Sequence, residues 1–323
     1  MKVSKPKPLI ELLKTELTPE NILLMNQYKA IDEKGRYLHW DKFKRIYTKN
    51  TDFAWLATKL SRGALLNHFS IGQYDFSYAV PTTLQALLHF IDKTSGGNIG
   101  VNNLTGLSQS EQNRFLLKSL IMEEAITSAQ LEGAVTTRKV AKEMLEKARK
   151  PSNKDEMMIA NNYHLMKQAI ALKNTPLSME MILKLHRTAT LQAIENNAIA
   201  GELRGDDEIF IADYDGNIIY QPPKSTDLPN LMQSLCDFAN TNHNGIDAEF
   251  IHPVIKAMIL HFLVGFIHPF GDGNGRTARA LFYWFMLKNG YWLFEYISIS
   301  RLLKEAPAKY CLLYTSPSPR DPK

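Results

Sequence analysis

The sequence predicts a mainly α-helical fold that carries one β-hairpin. Residues 250–266 form a long apolar run typical of a buried helix, and residues 109–132 repeat apolar side chains at helical spacing. At residues 208–221, two short apolar runs flank a Tyr-Asp-Gly-Asn turn, which is the pattern of a hairpin. No other part of the sequence predicts a strand pair, so helices should dominate the fold.

Proline and glycine residues divide the rest of the chain into further helices. Pro19 interrupts the first helix, Gly133 ends the helix at 109–132, and Pro151 precedes a capped helix start. Apolar periodicity predicts the other helices at residues 9–31, 83–93, 135–149, 155–173, 178–193, 227–241 and 277–287.

Composition limits the class of protein. A chain of 323 residues with 45% hydrophobic residues can bury one large core or two modest ones. Its net charge of +5 suits a nucleotide site but is too small to argue for nucleic acid by itself. Two cysteines give no disulfide framework, and neither a signal peptide nor a membrane-spanning run is evident. We therefore expect a cytoplasmic protein without a membrane partner.

The candidate site is the loop at residues 267–279, between two predicted helices. Its glycines break the helix, and their N–H groups, with the N-terminus of the following helix, form an anion site. Arg276 and Arg279 offer guanidinium forks that suit phosphate oxygens. Asp272 is a hard oxygen ligand for Mg²⁺, and His268 can accept a proton near neutral pH. Together these groups predict phosphoryl or nucleotidyl transfer.

Residues 268–279, HPFGDGNGRTAR, resemble the Fic family signature, H-x-F-x-D/E-G-N-G-R-x-x-R, at each specified position. The loop lacks the Gly-Lys-Ser/Thr of a Walker A motif, and the helix before it excludes a Rossmann fingerprint. His252, His261 and His268 lack the His-Glu-x-x-His spacing of a zinc site. The resemblance implies a Fic-type helical bundle with a β-hairpin flap and a helical N-terminal extension.

The resemblance also implies the domain boundaries. Residues 1–108 would form the extension and residues 109–311 the Fic domain, in which Tyr310 matches an aromatic position of an adenine-enclosing helix. Residues 312–323 have no periodicity, so we interpret them as a non-native or disordered tail and the chain as C-terminally truncated. Within the extension, the aromatic and basic residues at 36–62 could bind single-stranded nucleic acid. We favour the alternative, in which they fill a small helical core.

A second motif resembles the family's inhibitory signature, S/T-x-x-x-E-G/N. It consists of Ser128, Glu132 and Gly133, and it implies that Glu132 pairs with Arg279 in competition with the nucleotide. A charge-assisted bond of about 1.5–3 kcal/mol would shift nucleotide binding by roughly tenfold to a hundredfold. The alternative is an ordinary carboxylate at a helix end.

The predicted hairpin matches the family's flap in position and type. Ile209, Phe210 and Ile211 would then hold a segment of the target protein through strand addition. An ordinary surface hairpin is the alternative interpretation.

The activity implied by the resemblance is transfer of AMP from ATP to a Ser, Thr or Tyr hydroxyl of a target protein. His268 would be the general base, Asp272 would hold Mg²⁺, Arg276 would bind the β-phosphate and Arg279 would orient the γ-phosphate. The residues implied to bind the nucleotide are Gly273, Asn274, Gly275, Arg276, Thr277, Ala278, Arg279 and Tyr310.

Three other interpretations stay open. Some relatives remove AMP, with the inhibitory glutamate positioning water, and Glu132 allows this. A kinase-like branch has Ala and Lys at the positions of Gly273 and Gly275, so the Gly-Asn-Gly-Arg form favours AMP transfer. A non-catalytic module that senses ATP is the third. A homodimer is compatible with the resemblance, whereas nucleic acid is not an expected partner.

Overall fold

The computed structural model describes residues 6–95, 121–194, 198–212 and 218–305. These residues are mainly helical, as predicted, and they fall into two compact units, residues 6–90 and 91–305. The predicted boundary at residue 108, Tyr310 and the tail at 312–323 lie outside the described residues.

The first unit begins with short helices. Their bounds are α1 at Leu9–Glu16, α2 at Pro19–Leu24, α3 at Trp40–Ile46 and α4 at Thr51–Gly63, while α5 at Thr82–Ser95 crosses the unit boundary. The predicted break at Pro19 is confirmed, because Pro19 occupies the first position of α2 and the Thr18 side chain caps that helix.

Aromatic side chains form the core of this unit. Phe43 and Trp55 are buried with their ring centroids 4.9 Å apart, and Trp40 packs on Trp55 at 5.2 Å. Arg62 is also buried, and its guanidinium donates to the carbonyls of Ala30 and Leu38 at 2.9 and 2.7 Å. These contacts support the interpretation of residues 36–62 as a core.

The first unit also contains a hairpin that the sequence analysis did not predict. Strand β1 (Leu66–Ile71) pairs antiparallel with β2 (Tyr74–Ala79), and Gly72 adopts a φ of 56° in the two-residue turn. Gly-Gln is a weak turn signal beside Asn-Gly or Asp-Gly, so the hairpin was missed. The predicted helical extension therefore has a two-stranded sheet as well.

The second unit is a helical bundle around one buried helix. Residues 121–131 form the described part of α6, and the other elements are α7 (Arg138–Glu146), α8 (Lys154–Ala171), α9 (Met179–Thr190), β3 (Ile211–Ala212), β4 (Ile218–Tyr220), α10 (Leu228–Asn240), α11 (Pro253–Ile267), α12 (Asn274–Lys288) and α13 (Ile299–Glu305). Helix α12 packs against α8, α9 and α11, and its Leu281 and Trp284 are fully buried.

Two predicted elements of this unit appear close to their expected positions. The apolar run at 250–266 forms α11, and the side chain of His252 caps that helix by accepting the N–H of Val254 at 3.3 Å. The hairpin at 208–221 contains β3 and β4, with Ile211 opposite Tyr220. Of the helices in the described ranges, none has the length and apolar character needed to cross a membrane.

Candidate active site

The loop between α11 and α12 begins and ends with left-handed backbone conformations. His268 ends α11 with a φ of 48°, and Gly273 precedes α12 with a φ of 79°. A Cβ at Gly273 would overlap with the side chain of Thr190 on α9, so both the conformation and the space require glycine. The chain thereby passes directly from the buried α11 to the N-terminus of α12.

Side chains from α9 and α12 hold the loop backbone. Asn274 accepts the N–H of Phe270 at 3.0 Å and donates to its carbonyl at 2.7 Å. His186 accepts the N–H of Gly201 on Nδ1 at 3.0 Å, so Nε2 carries the proton and donates to the Asp272 carbonyl at 2.9 Å. The His186 ring also stacks on Phe270, with centroids 3.7 Å apart. These contacts hold the backbone of the loop in one conformation.

The imidazole of His268 is suited to accept a proton. Its Nδ1 lies 3.4 Å from the Gly265 carbonyl, which can only accept, so Nδ1 carries the proton and Nε2 keeps its lone pair. Burial lowers the pKa of His268, the bond to Gly265 and the charge of Glu132 oppose that shift, and the charge of Arg204 adds to it. The ring is therefore neutral at pH 7.

Asp272 has one carboxylate oxygen bound and one without a partner. Oδ1 accepts from Arg276 at 2.8 Å and from the N–H of Gly273 at 2.5 Å. Oδ2 is buried and has no hydrogen-bond partner in the described part of the chain. A hard, unpartnered carboxylate oxygen in an anion-binding loop fits Mg²⁺. The described ranges contain no cluster of three or more His, Cys, Asp or Glu side chains that could hold a metal ion by themselves.

Arg279 is buried, and its Nε and Nη2 donate to residues near the end of α6. Its Nη2 donates to Oε1 of Glu132 at 2.6 Å and to the Ser128 carbonyl at 3.3 Å. Its Nε donates to the hydroxyl of Ser128 at 2.9 Å. The guanidinium fork is thus occupied by the two residues that the second sequence motif singled out.

Gly133 explains why Glu132 faces this site. Helix α6 ends in a Schellman motif, in which the N–H of Ala134 donates to Ala129 at 3.1 Å and that of Gly133 to Gln130 at 3.2 Å. Gly133 adopts the left-handed φ of 98° that this motif requires. Glu132 therefore sits at the helix cap, where its side chain reaches across to α12.

The carboxylate of Glu132 also lies against the N-terminus of α12. A Cβ added to Gly275 would overlap with Oε1 of Glu132 and would lie 3.1 Å from Nη1 of Arg279. The first N–H groups of a helix have no partner within it, and the helix dipole favours an anion there. Glu132 hence occupies a position that suits a phosphate group.

The flap hairpin is tied to the same region. The hydroxyl of Tyr220 donates to the carbonyl of Phe266 on α11 at 2.7 Å, and Gln221 donates to the Ile209 carbonyl at 3.1 Å. Phe210 and Ile211 are 50% and 40% exposed. The flap therefore presents apolar side chains to solvent while its base is anchored to the helix that ends at His268.

A profile of the Fic/DOC family matches residues 176–286, which include α9, the flap and the whole loop. The chain carries a Fic domain. A protein named protein adenylyltransferase Fic from Nematostella vectensis is 30% identical over 119 residues, which are 37% of this chain and 25% of that protein. Another of that name, from Drosophila melanogaster, is 33% identical over 125 residues, or 38% and 22% of the two chains.

The chain therefore spans about a quarter of the length of the curated relatives it matches. Among solved structures, a Fic family protein from Desulfovibrio desulfuricans superimposes with a TM-score of 0.56 at 20% identity, over 72% of this chain and 66% of that one. This likeness shows the fold.

Three of the predicted nucleotide-binding residues are buried in the structure. Arg276 is 1% exposed and donates to the Ala189 carbonyl at 2.9 Å and to Asp272, while its buried Nε has no hydrogen-bond partner in the described part of the chain. Thr277 and Ala278 are buried within α12. Arg276 thereby orients Asp272, and the binding of a nucleotide by these three residues stays a prediction.

Two of the residues predicted to bind the nucleotide also make hydrogen bonds within the loop. The N–H of Gly273 is bound by Asp272, whereas the first N–H groups of α12, those of Asn274 and Gly275, have no partner within the helix. The side chain of Asn274 braces the backbone of Phe270. His186 and Arg204 were missed by sequence reasoning, because each is a single residue far along the chain from the loop that it contacts.

Acid should destabilise the Fic domain through two histidines whose pKa values are lowered in the folded state. Burial lowers the pKa of His186 to about 4 and that of His261 to about 4. The unfolded chain binds these protons near pH 6.5, so stability falls as the pH drops from 6.5 towards 4, by on the order of 3 kcal/mol per ring. Calorimetric melting at pH 7, 6 and 5 should show the loss, and His186→Gln should reduce its pH dependence. If the melting temperature of His186→Gln depends on pH as strongly as that of the wild type, His186 is not a source of the acid sensitivity.

The substitution Gly275→Ala tests whether the Glu132 carboxylate rests on the N-terminus of α12. Alanine normally stabilises a helix over glycine by about 0.5–1 kcal/mol. Here its Cβ would displace the Glu132 carboxylate, so the substitution should destabilise the wild type yet stabilise the Glu132→Gly variant. Thermal unfolding of the four proteins should give a coupling energy of about 0.5–3 kcal/mol. Additive effects would mean that Glu132 does not rest on the helix N-terminus.

Proposed function

We propose that this chain transfers AMP from ATP to a Ser, Thr or Tyr hydroxyl of a protein, and that Glu132 inhibits the transfer. The observation that supports this best is the loop at residues 268–279. In it, a neutral histidine with an available Nε2 directly precedes a helix N-terminus that suits phosphate. The relatives named protein adenylyltransferase support the same reaction at the level of the family.

The chemistry follows from the groups in the loop. The target hydroxyl would attack the α-phosphorus of ATP while its proton passes to Nε2 of His268. A phosphorus–oxygen bond to the target forms, the bond to the bridging oxygen breaks, and pyrophosphate leaves. The N–H groups of Asn274 and Gly275, with the dipole of α12, would stabilise charge that develops on the phosphate oxygens.

Asp272 is the residue that would hold a divalent cation such as Mg²⁺. Its unpartnered Oδ2 is available, while Arg276 and the N–H of Gly273 keep the carboxylate in one orientation through Oδ1. The cation, when bound with ATP, would reduce the negative charge of the phosphates.

Inhibition follows from the occupied guanidinium of Arg279. A γ-phosphate and Glu132 would compete for the same fork, and the carboxylate also lies against Gly275 at the helix N-terminus. A bound ATP would therefore have to displace Glu132 from two positive groups. The pair at 2.6 Å is charge-assisted and largely buried, which makes it a strong competitor.

The flap would bind the target by strand addition. Its exposed Phe210 and Ile211 stand at the start of β3, and its base is tied to α11 next to His268. Main-chain bonds to an extended peptide would bring the hydroxyl of that peptide towards Nε2.

The deciding experiment supplies ATP labelled on the α-phosphate, with Mg²⁺, to the Glu132→Gly variant and to host lysate containing it. A parallel reaction uses ATP labelled on the γ-phosphate. AMP transfer predicts protein-bound label from the α position alone. Label from the γ position would indicate phosphoryl transfer instead, and no label from either position would contradict the proposed function.

A further inference from the structure

Arg204 donates hydrogen bonds to two separate segments of the chain, the flap and the loop at 268–279. It lies between α9 and the flap, and its side chain is 2% exposed. Arg204 lies outside the motif at 268–279 and has no role in the proposed reaction. Its guanidinium and its backbone N–H nonetheless reach both of the functional segments in this region.

On the flap side, Arg204 binds both legs of the hairpin. Nη1 donates to the Asp206 carbonyl and, at 3.1 Å, to Oδ1 of Asp207, which precede β3. Nη2 donates to the carbonyl of Pro223, which follows β4. One planar fork thereby fixes the distance between the two ends of the flap.

On the loop side, the same residue binds two consecutive carbonyls. Nε donates to the carbonyl of His268 at 3.0 Å, and the backbone N–H of Arg204 donates to that of Pro269 at 2.9 Å. His268 has a left-handed φ of 48°, which is unfavourable for a residue with a Cβ and needs support from its surroundings. Arg204 supplies that support at the peptide that carries the imidazole.

We infer that Arg204 is a positioning residue that couples the flap to His268, so that the segment binding the target and the proton acceptor keep one relative geometry. The inference rests on the proposed function for its consequence in catalysis. The hydrogen bonds that join the flap to His268 through Arg204 do not depend on that function. Arg204 would not touch substrate, because its side chain is 2% exposed and its Nε, Nη1 and Nη2 each donate to a protein oxygen.

Lysine cannot replace this arrangement. The guanidinium has donors in a fixed plane that point in separate directions, whereas an ammonium is a single point at the end of a flexible chain. Arg204→Lys keeps the charge and most of the volume but cannot reach the His268 carbonyl and both flap legs together. A reacting group misplaced by about 1 Å can lose roughly a hundredfold in rate.

The test compares Arg204→Lys with Arg301→Lys, both in the Glu132→Gly background. Arg301 pairs with Glu305 on the exposed face of α13, so it controls for loss of an arginine. Hydrogen–deuterium exchange is read on peptides covering 206–223 and 268–275, with α8 as the reference for intact folding. We expect about tenfold faster exchange in both segments for Arg204→Lys, because local opening follows the lost bonds.

The same proteins are then assayed for label transfer from α-labelled ATP at saturation. We expect Arg204→Lys to lower the rate about 10- to 100-fold, with ATP affinity by calorimetry changed by less than about twofold. If the lysine variant does not fold, Arg204→Gln takes its place in the test. It keeps an amide donor without the charge and should show the same loss of rate.

Two results would overturn the inference: faster exchange in the flap alone, or equal loss of ATP affinity and rate, which indicates a general structural defect. If the Glu132→Gly parent incorporates no label, the proposed function fails, whereas the exchange result still decides the coupling.

Discussion

His268→Ala in the Glu132→Gly background should reduce label transfer from α-labelled ATP by about 10²- to 10⁴-fold, the usual contribution of a positioned general base. The loss is expected because Nε2 of His268 is the proposed proton acceptor. Nε2 is the ring nitrogen that keeps its lone pair, since Nδ1 faces the Gly265 carbonyl. Burial lowers the pKa of the ring, so this lone pair is available at neutral pH.

The measurement is the initial rate of labelling, with ATP affinity determined separately by calorimetry. His164→Ala is the matched control, because His164 is exposed on α8 and remote in sequence from the loop. ATP affinity should stay close to that of the parent, since the loop is braced by Asn274 and His186 rather than by the His268 ring. A variant that labels at the parent rate would remove His268 from the mechanism.

Glu132→Gly should raise the rate of label transfer by about 10- to 100-fold at ATP concentrations below saturation. Removal of the Glu132 carboxylate frees Arg279 from an ion pair with an Nη2–Oε1 distance of 2.6 Å. A charge-assisted bond of this kind contributes about 1.5–3 kcal/mol. The removal also clears the N-terminus of α12, against which the carboxylate now lies. Both effects act on nucleotide binding, so the apparent ATP affinity should rise by a similar factor.

Glu132→Gln separates charge from volume in this prediction. It keeps the shape of the side chain and should release part of the inhibition. Glu123→Gln is the control, because Glu123 lies on the same helix α6 and pairs with Arg138 at 2.6 Å instead. Activation by Glu123→Gln as large as that by Glu132→Gln would mean that a general loosening of α6, rather than release of Arg279, causes the effect.

Local patterns in the sequence predicted much of the architecture. The buried α11, the break at Pro19 and the flap strands follow from apolar runs and from proline and glycine, which act within a few residues. The hairpin of β1 and β2 was not predicted, because its Gly-Gln turn is a weak signal. Pairing of such strands is favoured only once they pack against other elements.

The groups of the proposed mechanism could be predicted from the sequence: His268, Asp272 and the glycines of one contiguous loop, together with Glu132 at a helix end set by Gly133. A short motif carries its own chemistry because its groups are adjacent in the chain. The burial of each group could be read only from the packing of the helices. That packing buried Arg276, Thr277 and Ala278 in α12, and it brought His186 and Arg204 onto the loop backbone. Burial and long-range hydrogen bonds depend on how α9, α11 and α12 pack, and no spacing along the chain encodes that packing directly.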